Sequence, residues 1–192
     1  MTILGAGLRG ETFPAVLVAA QAGASWALSD LWLQFAPAVT GFLRSKGSSE
    51  PEDLTSDVFL AVFDSIAEFE GDESAFRSFV FTIAYRRLVD ELRKRARRGT
   101  VVEWTAETDT RCTESAEQEA LGRMGEERAR ALIEELPIDQ RNVLSLRIFG
   151  DLTIEQIADV VGKNPGAVKA LQRRGLEALR RRLDPTRTPA AR

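Results

Sequence analysis

Lys169, Arg173 and Arg174 recur at i, i+4 and i+5 in a stretch of helical period. Cations spaced in this way can hold phosphates or pair with a guanine edge, and the neighbouring Ala170 can touch a thymine methyl group. A second constellation interleaves Phe76, Phe79, Phe81 and Tyr85 with Arg86, Arg87, Arg93, Lys94, Arg95, Arg97 and Arg98. Unpaired bases stack on aromatic rings while their phosphates need positive charge, so this mixture suits single-stranded nucleic acid. Apolar residues at helical spacing usually pack inside, and most of these phenylalanines are expected in the core, with Tyr85 and Arg86 exposed. Asp90 can pair with Arg93 or Lys94 along the helix instead.

Both constellations bind rather than transform. The chain has no histidine and one cysteine, Cys112, which argues against a Cys/His zinc site and an internal disulfide framework. Cys112 reads as a tolerated linker thiol. No nucleophile, metal cluster or phosphate loop suggests an enzyme, and neither metal nor cofactor is expected.

Residues 152–183, LTIEQIADVVGKNPGAVKALQRRGLEALRRRL, must position the first constellation. Thr153 with Gln156 makes a capping-box start, and Ile154, Ile157, Ala158 and Val161 form one apolar face. Gly162 ends that helix in a left-handed conformation; Asn164 and Pro165 restart the chain as N-cap and first-turn proline. Val168 and Leu171 then close the core, leaving Gly166, Lys169, Ala170 and Arg173 outward. This is the layout of a helix-turn-helix DNA reader, and a plain helical hairpin with a solvated basic face is its alternative.

The net charge over 192 residues is −3, yet it is unevenly placed. Residues 86–98 carry seven basic and two acidic groups, residues 163–192 nine and two, and the rest of the chain is acidic. Two basic blocks separated by acidic sequence suggest two contacts with a polyanion. No apolar run is long enough to span a bilayer, and a cytoplasmic protein is expected.

Nearly every segment has a helical period and none alternates as a strand does, so the fold expected is all-α. Helices are predicted over 13–22, 27–44, 52–69 and 75–98, with Pro37 inside the second and an acidic turn at 70–74. Residues 99–122 have the composition of a linker. A second set is predicted over 126–135 and 138–149, the latter stopped by Gly150, followed by the two helices already described.

Four segments in this order, FPAVLVAAQAG, EPEDLTSDVFLAVFDSI, FRSFVFTIAYRRLVDELRKRAR and ELPIDQRNVLSLRIFGDLTIEQIADVVGKNPGAVKALQRRGLEALRR, resemble the bacterial sigma factors of the extracytoplasmic-function group. The resemblance covers residues 13–183 and implies two helical domains that bind core RNA polymerase and grip promoter DNA twice. It divides the chain into an N-terminal extension (1–12), region 2 (13–98), a linker (99–125), region 4 (126–184) and a tail (185–192). By resemblance Glu52, Asp53, Leu54, Asp57, Val58 and Phe59 meet the β′ clamp helices of the polymerase, whose β subunit is a further partner. The three carboxylates also suit a helix start without any partner. Phe76, Phe79, Tyr85, Arg86, Arg87 and Arg93 fall at or near the displaced minus-10 strand, with the 69–75 turn as a pocket for a flipped base. Many relatives have Asn at the position of Arg86.

Asn164, Gly166, Ala167, Lys169, Ala170, Arg173 and Arg174 are implied at the minus-35 duplex. Many relatives carry Ser-Arg where this chain has Ala170 and Leu171. The linker, with Glu103, Trp104 and Glu107, is implied either to thread acidic charge toward the polymerase channels or to act as a tether. An anti-sigma factor is an implied partner. A promoter-specificity subunit without chemistry of its own is therefore expected. A dimeric helix-turn-helix regulator and a helical protein-binding adaptor are the alternatives.

Overall fold

The computed structural model describes residues 10–97, 132–133 and 135–183. Among them the regular structure is helical: α1 (Phe13–Gln21), α2 (Ser25–Ser45), α3 (Pro51–Asp64), a 3-10 turn (Ile66–Glu68), α4 (Glu73–Arg97), α5 (Ile138–Gly150), α6 (Ile154–Val161) and α7 (Pro165–Leu183). Residues 132–133 are helical as well. The rest of the helix predicted over 126–135 lies outside the described residues, save for the turn at Glu135, as do the linker at 99–125 with Glu103, Trp104, Glu107 and Cys112, and residues 1–9 and 184–192.

The third helix is shorter than its apolar stripe predicts. It ends at Asp64, and Ile66 is buried through a 3-10 turn instead. Gln21 Nε2 of α1 donates to the carbonyls of Ile66 (3.1 Å) and Phe69 (2.8 Å), satisfying acceptors that have no α-helical donor at this chain reversal. Asp72 Oδ1 then accepts from the Ala75 amide at 2.8 Å, and α4 starts at Glu73, two residues earlier than predicted. Pro37 is accommodated inside α2.

Aromatic rings fill the centre of the N-terminal half. Phe76 is fully buried, with Phe13, Phe35 and Phe69 at centroid distances of 5.5, 5.3 and 5.3 Å. Arg77 is buried beside it, its guanidinium 5.3 Å from the Phe35 ring and 2.8 Å from Glu73 Oε1. Its charge is thereby paired inside rather than offered outward.

In the C-terminal half, the residue that leaves α5 is not the predicted glycine. Gly150 is the last helical residue, and Asp151 takes the left-handed conformation (φ 48°). Gly150 serves packing: a Cβ there would stand 3.2 Å from the Phe81 ring and 3.1 Å from Leu152. Gly175 likewise lets α7 cross α5, since a Cβ would meet Leu144 at 2.8 Å.

The two halves touch directly. Helix α5 packs on α2 and α4, and α6 packs on α4. Gly41 of α2 receives the Phe149 ring at 3.0 Å from where its Cβ would stand, and Phe81 lies between Phe42 and Gly150. Buried residues of both halves, from Phe13 to Leu171, form one contiguous apolar cluster.

Candidate nucleic-acid interface

The helix-turn-helix is built as its local sequence dictates. Thr153 Oγ1 accepts from the Gln156 amide at 3.2 Å while Gln156 Oε1 accepts from the Thr153 amide at 2.9 Å, completing the capping box. Gly162 turns left-handed at φ 67°. Asn164 Oδ1 accepts from the Ala167 amide at 2.8 Å and opens α7, whose first helical residue is Pro165. Ala158, Val168 and Leu171 are buried between α6 and α7. Asn164, Gly166, Lys169, Arg173 and Arg174 are exposed, and Ala167 and Ala170 are half-buried. The helix thus presents its cations outward from a supported base. Its far end is held by Arg182, which reaches Glu135 at 3.2 Å and the Leu132 carbonyl at 3.3 Å. Lys169 and Arg173 also border an open groove of about 300 Å³ with Ile154, Leu176 and Arg180.

On α4 the expected contacts separate by burial. Arg86, Arg87 and Arg93 are exposed, with Arg93 lying 3.8 Å from Asp90 in a surface pair that is worth little. Phe79 is half-buried, its ring 5.4 Å from Phe69 beside the 69–75 turn. Phe76 is different: at 0 % exposure it has no face for a base, so its expected DNA contact is corrected to a core position. Tyr85, expected in the open beside Arg86, is half-buried because its hydroxyl accepts from Asn142 Nδ2 of α5 at 3.1 Å. Burial raises its pKa above the ordinary phenol value, and the charge of Asp139 adds to the rise.

On α3, Glu52, Asp53 and Asp57 are exposed and Leu54 is half-buried. Glu52 is paired with Arg44 of α2. Val58 and Phe59 are at most 1 % exposed, with the Trp32 ring tilted against Phe59 at 4.8 Å, so their expected contact with a partner is corrected to support from beneath. Leu60, 63 % exposed one turn after Asp57, is the apolar side chain that sequence reasoning passed over. Its position off the apolar stripe was the available signal.

The residues joining the halves also escaped the sequence reading. Gln156 Nε2 donates to the Ser74 carbonyl at 3.1 Å and to Ser74 Oγ at 3.0 Å. Lys46, 6 % exposed, donates through Nζ to Asn142 Oδ1, whose own amide nitrogen holds Tyr85. Nothing local marks such pairs.

Two family models match the chain. Sigma-70 region 2 matches residues 31–98, and Sigma-70, region 4 matches residues 126–179. The RNA polymerase sigma factor RpoE of Cereibacter sphaeroides, of the extracytoplasmic-function (ECF) group, is 32 % identical over 162 residues, covering 82 % of this chain and 86 % of the relative. The chain belongs to the ECF sigma factors. The ECF sigma factor ShbA of Streptomyces griseus is similar at 31 % identity, covering 82 % of this chain and 88 % of its own. A sigma factor RpoE from Bartonella quintana, solved with the anti-sigma factor NepR, shares the fold with a TM-score of 0.63 at 22 % identity, covering 83 % of this chain and 98 % of that one. The all-α architecture of a region 2 domain and a region 4 helix-turn-helix domain is the sigma-factor fold. An ECF sigma factor binds core RNA polymerase and directs promoter-specific transcription initiation, which is the function of this chain. No described helix is long and apolar enough to cross a membrane.

Proposed function

We propose that this sigma factor divides promoter recognition between two exposed cationic surfaces. On α7, Lys169, Arg173 and Arg174 hold and read the minus-35 duplex from the base set by Asn164, Gly166, Ala167 and Ala170. On α4, Arg86, Arg87 and Arg93 hold the displaced minus-10 strand, with Phe79 and Tyr85 as stacking surfaces and the 69–75 turn as the pocket for a flipped base. Glu52, Asp53, Leu54 and Asp57, with Leu60 added, dock on the β′ clamp helices over the buried support of Val58 and Phe59. Residues 13–98 and 126–184 act as the two separable grips, with 99–125 between them. The factor has no chemistry of its own and works in the cytoplasm; capture of unpaired bases, each offsetting a few kcal/mol of unstacking, drives melting. An anti-sigma factor controls it, a reading supported by the RpoE and NepR complex of similar fold.

The observation that carries the reading is the presence on one chain of two outward basic faces, Arg86 with Arg87 on α4 and Lys169 with Arg173 on α7, each on a helix anchored by buried residues. The chain added to sigma-free core polymerase and a promoter library is expected to yield run-off transcripts. Transcription undiminished by Arg86→Ala and Lys169→Ala together would refute the site assignments, and absence of polymerase binding would refute the docking face.

A further inference from the structure

Three polar side chains cross the junction between the halves in a line. Lys46 lies just beyond the end of α2, Asn142 in the middle of α5, and Tyr85 in α4. Lys46 and Asn142 are nearly enclosed, at 6 % and 8 % exposure, and each end of the Asn142 amide is used: Oδ1 accepts from Lys46 Nζ and Nδ2 donates to Tyr85. The contact joins residues 96 apart in sequence, so it exists only while region 4 is docked on region 2. Docking also joins Gln156 to Ser74, at the edge of the 69–75 turn. Two grips held against each other cannot lie on two separate promoter elements, and in the docked form Tyr85 is half-buried with its hydroxyl tied to Asn142.

We propose that the Lys46, Asn142 and Tyr85 chain is a proton-operated latch: the neutral Lys46 amine holds the two regions docked, and its protonation favours release, freeing Tyr85. The proposal rests on the reading of Tyr85 as a minus-10 contact. The charge environment agrees with it. A neutral amine donates to Asn142 without a desolvated charge, whereas an ammonium there has no carboxylate partner among the described residues and faces the Arg141 guanidinium of α5. Asp139 of α5 pairs with Lys163 beyond α6 at 3.1 Å, and Glu91 of α4 accepts from Ser49 through Oε1 alone. Arg95 of α4 donates to the Gly47 carbonyl, and Arg93 is the remaining cation facing Tyr85. Burial, with Arg141 second, lowers the Lys46 pKa from 10.5 to about 7 in the docked form.

The sign follows from linkage. Once undocked, Lys46 meets water and recovers its ordinary affinity for a proton, so the open form binds more protons between about pH 7 and the ordinary lysine value. The penalty on docking is complete below about pH 7 and is relieved as pH rises through that window. Acidification therefore opens the molecule.

The test uses the full chain with Cys112→Ser and dyes on cysteines placed at Ser56 of α3 and Asp159 of α6, both exposed. Energy transfer is read from pH 6 to 9, alongside anisotropy of a labelled single-stranded minus-10 oligonucleotide. Lowering pH from 9 to 7 is expected to raise the open-to-docked ratio by up to about tenfold per unit. Lys46→Met is expected to stay docked and lose that dependence; Asn142→Asp, which gives the ammonium a partner, is expected to flatten or reverse it. A Lys46→Met chain that keeps the wild-type pH profile overturns the latch. If that variant does not fold, an unchanged profile in Asn142→Asp overturns it equally. An oligonucleotide affinity indifferent to opening, with energy transfer behaving as expected, leaves the latch standing and removes Tyr85 from the minus-10 surface.

Discussion

Gln156 of α6 and Ser74 of α4, 82 residues apart, are joined by two hydrogen bonds from one amide group, at 3.1 and 3.0 Å. The same side chain closes the capping box on Thr153 through its oxygen. One glutamine thus starts the helix-turn-helix and ties it to the edge of the 69–75 turn. A residue with both duties should be more costly to remove than either alone.

Gln156→Ala is accordingly expected to cost more than Thr153→Ala, whose loss is about 1 kcal/mol on the scale of an N-cap. Only Gln156→Ala should also increase amide exchange around Ser74. Urea melts and hydrogen exchange on the full chain separate the two effects, and equal exchange at Ser74 in both variants would contradict the shared role.

Glycines at the helix crossings give a second expectation. Gly175→Ala places a Cβ 2.8 Å from Leu144 and should destabilise by about 1–3 kcal/mol. Asp151→Gly relieves a left-handed backbone and should be neutral or stabilising by about 0.5 kcal/mol, since the Arg147 pair it removes, at 3.8 Å, is exposed. Thermal melts check both signs.

Phe76 and Phe79 should part company. Phe76→Ala empties the ring cluster and is expected to cost about 3–5 kcal/mol, whereas half-buried Phe79→Ala should cost less and weaken open-complex formation instead. The decisive measurement pairs a denaturant melt with a promoter-opening assay. Open-complex loss from Phe79→Ala that only tracks its stability loss would place that ring in the core too.

Lys169→Ala and Arg173→Ala, both exposed on α7, should weaken holoenzyme binding to minus-35 duplexes. If each side chain contacts one phosphate, each change should reduce the slope of log affinity against log salt by about 1. A salt slope unchanged in both variants would show that these cations lie off the DNA.

How much was legible in the sequence depended on the range of the interaction. Thr153, Gly162, Asn164 and Pro165 were read correctly because caps and left-handed turns are decided within four residues, by backbone groups that must find partners nearby. The all-α class and the outward cations of α7 followed from period alone. By itself the sequence therefore determined the caps and turn of the helix-turn-helix and the apolar faces of its helices, and it suggested two basic blocks suited to a polyanion.

Tertiary structure decided the rest. Period places Val58, Phe59 and Phe76 on a face, yet whether that face meets solvent or another helix depends on residues far along the chain, here Trp32, Phe13 and Phe35. The 3-10 turn after α3 is held by Gln21 of α1, and Gly150 leaves room for the Phe81 ring while Asp151 takes the left-handed conformation. The union of Lys46, Asn142 and Tyr85 has no local signature at all. Such pairs arise from how whole helices dock, and docking is set by the combined shape and burial of every side chain at the junction, which no window of neighbouring residues contains.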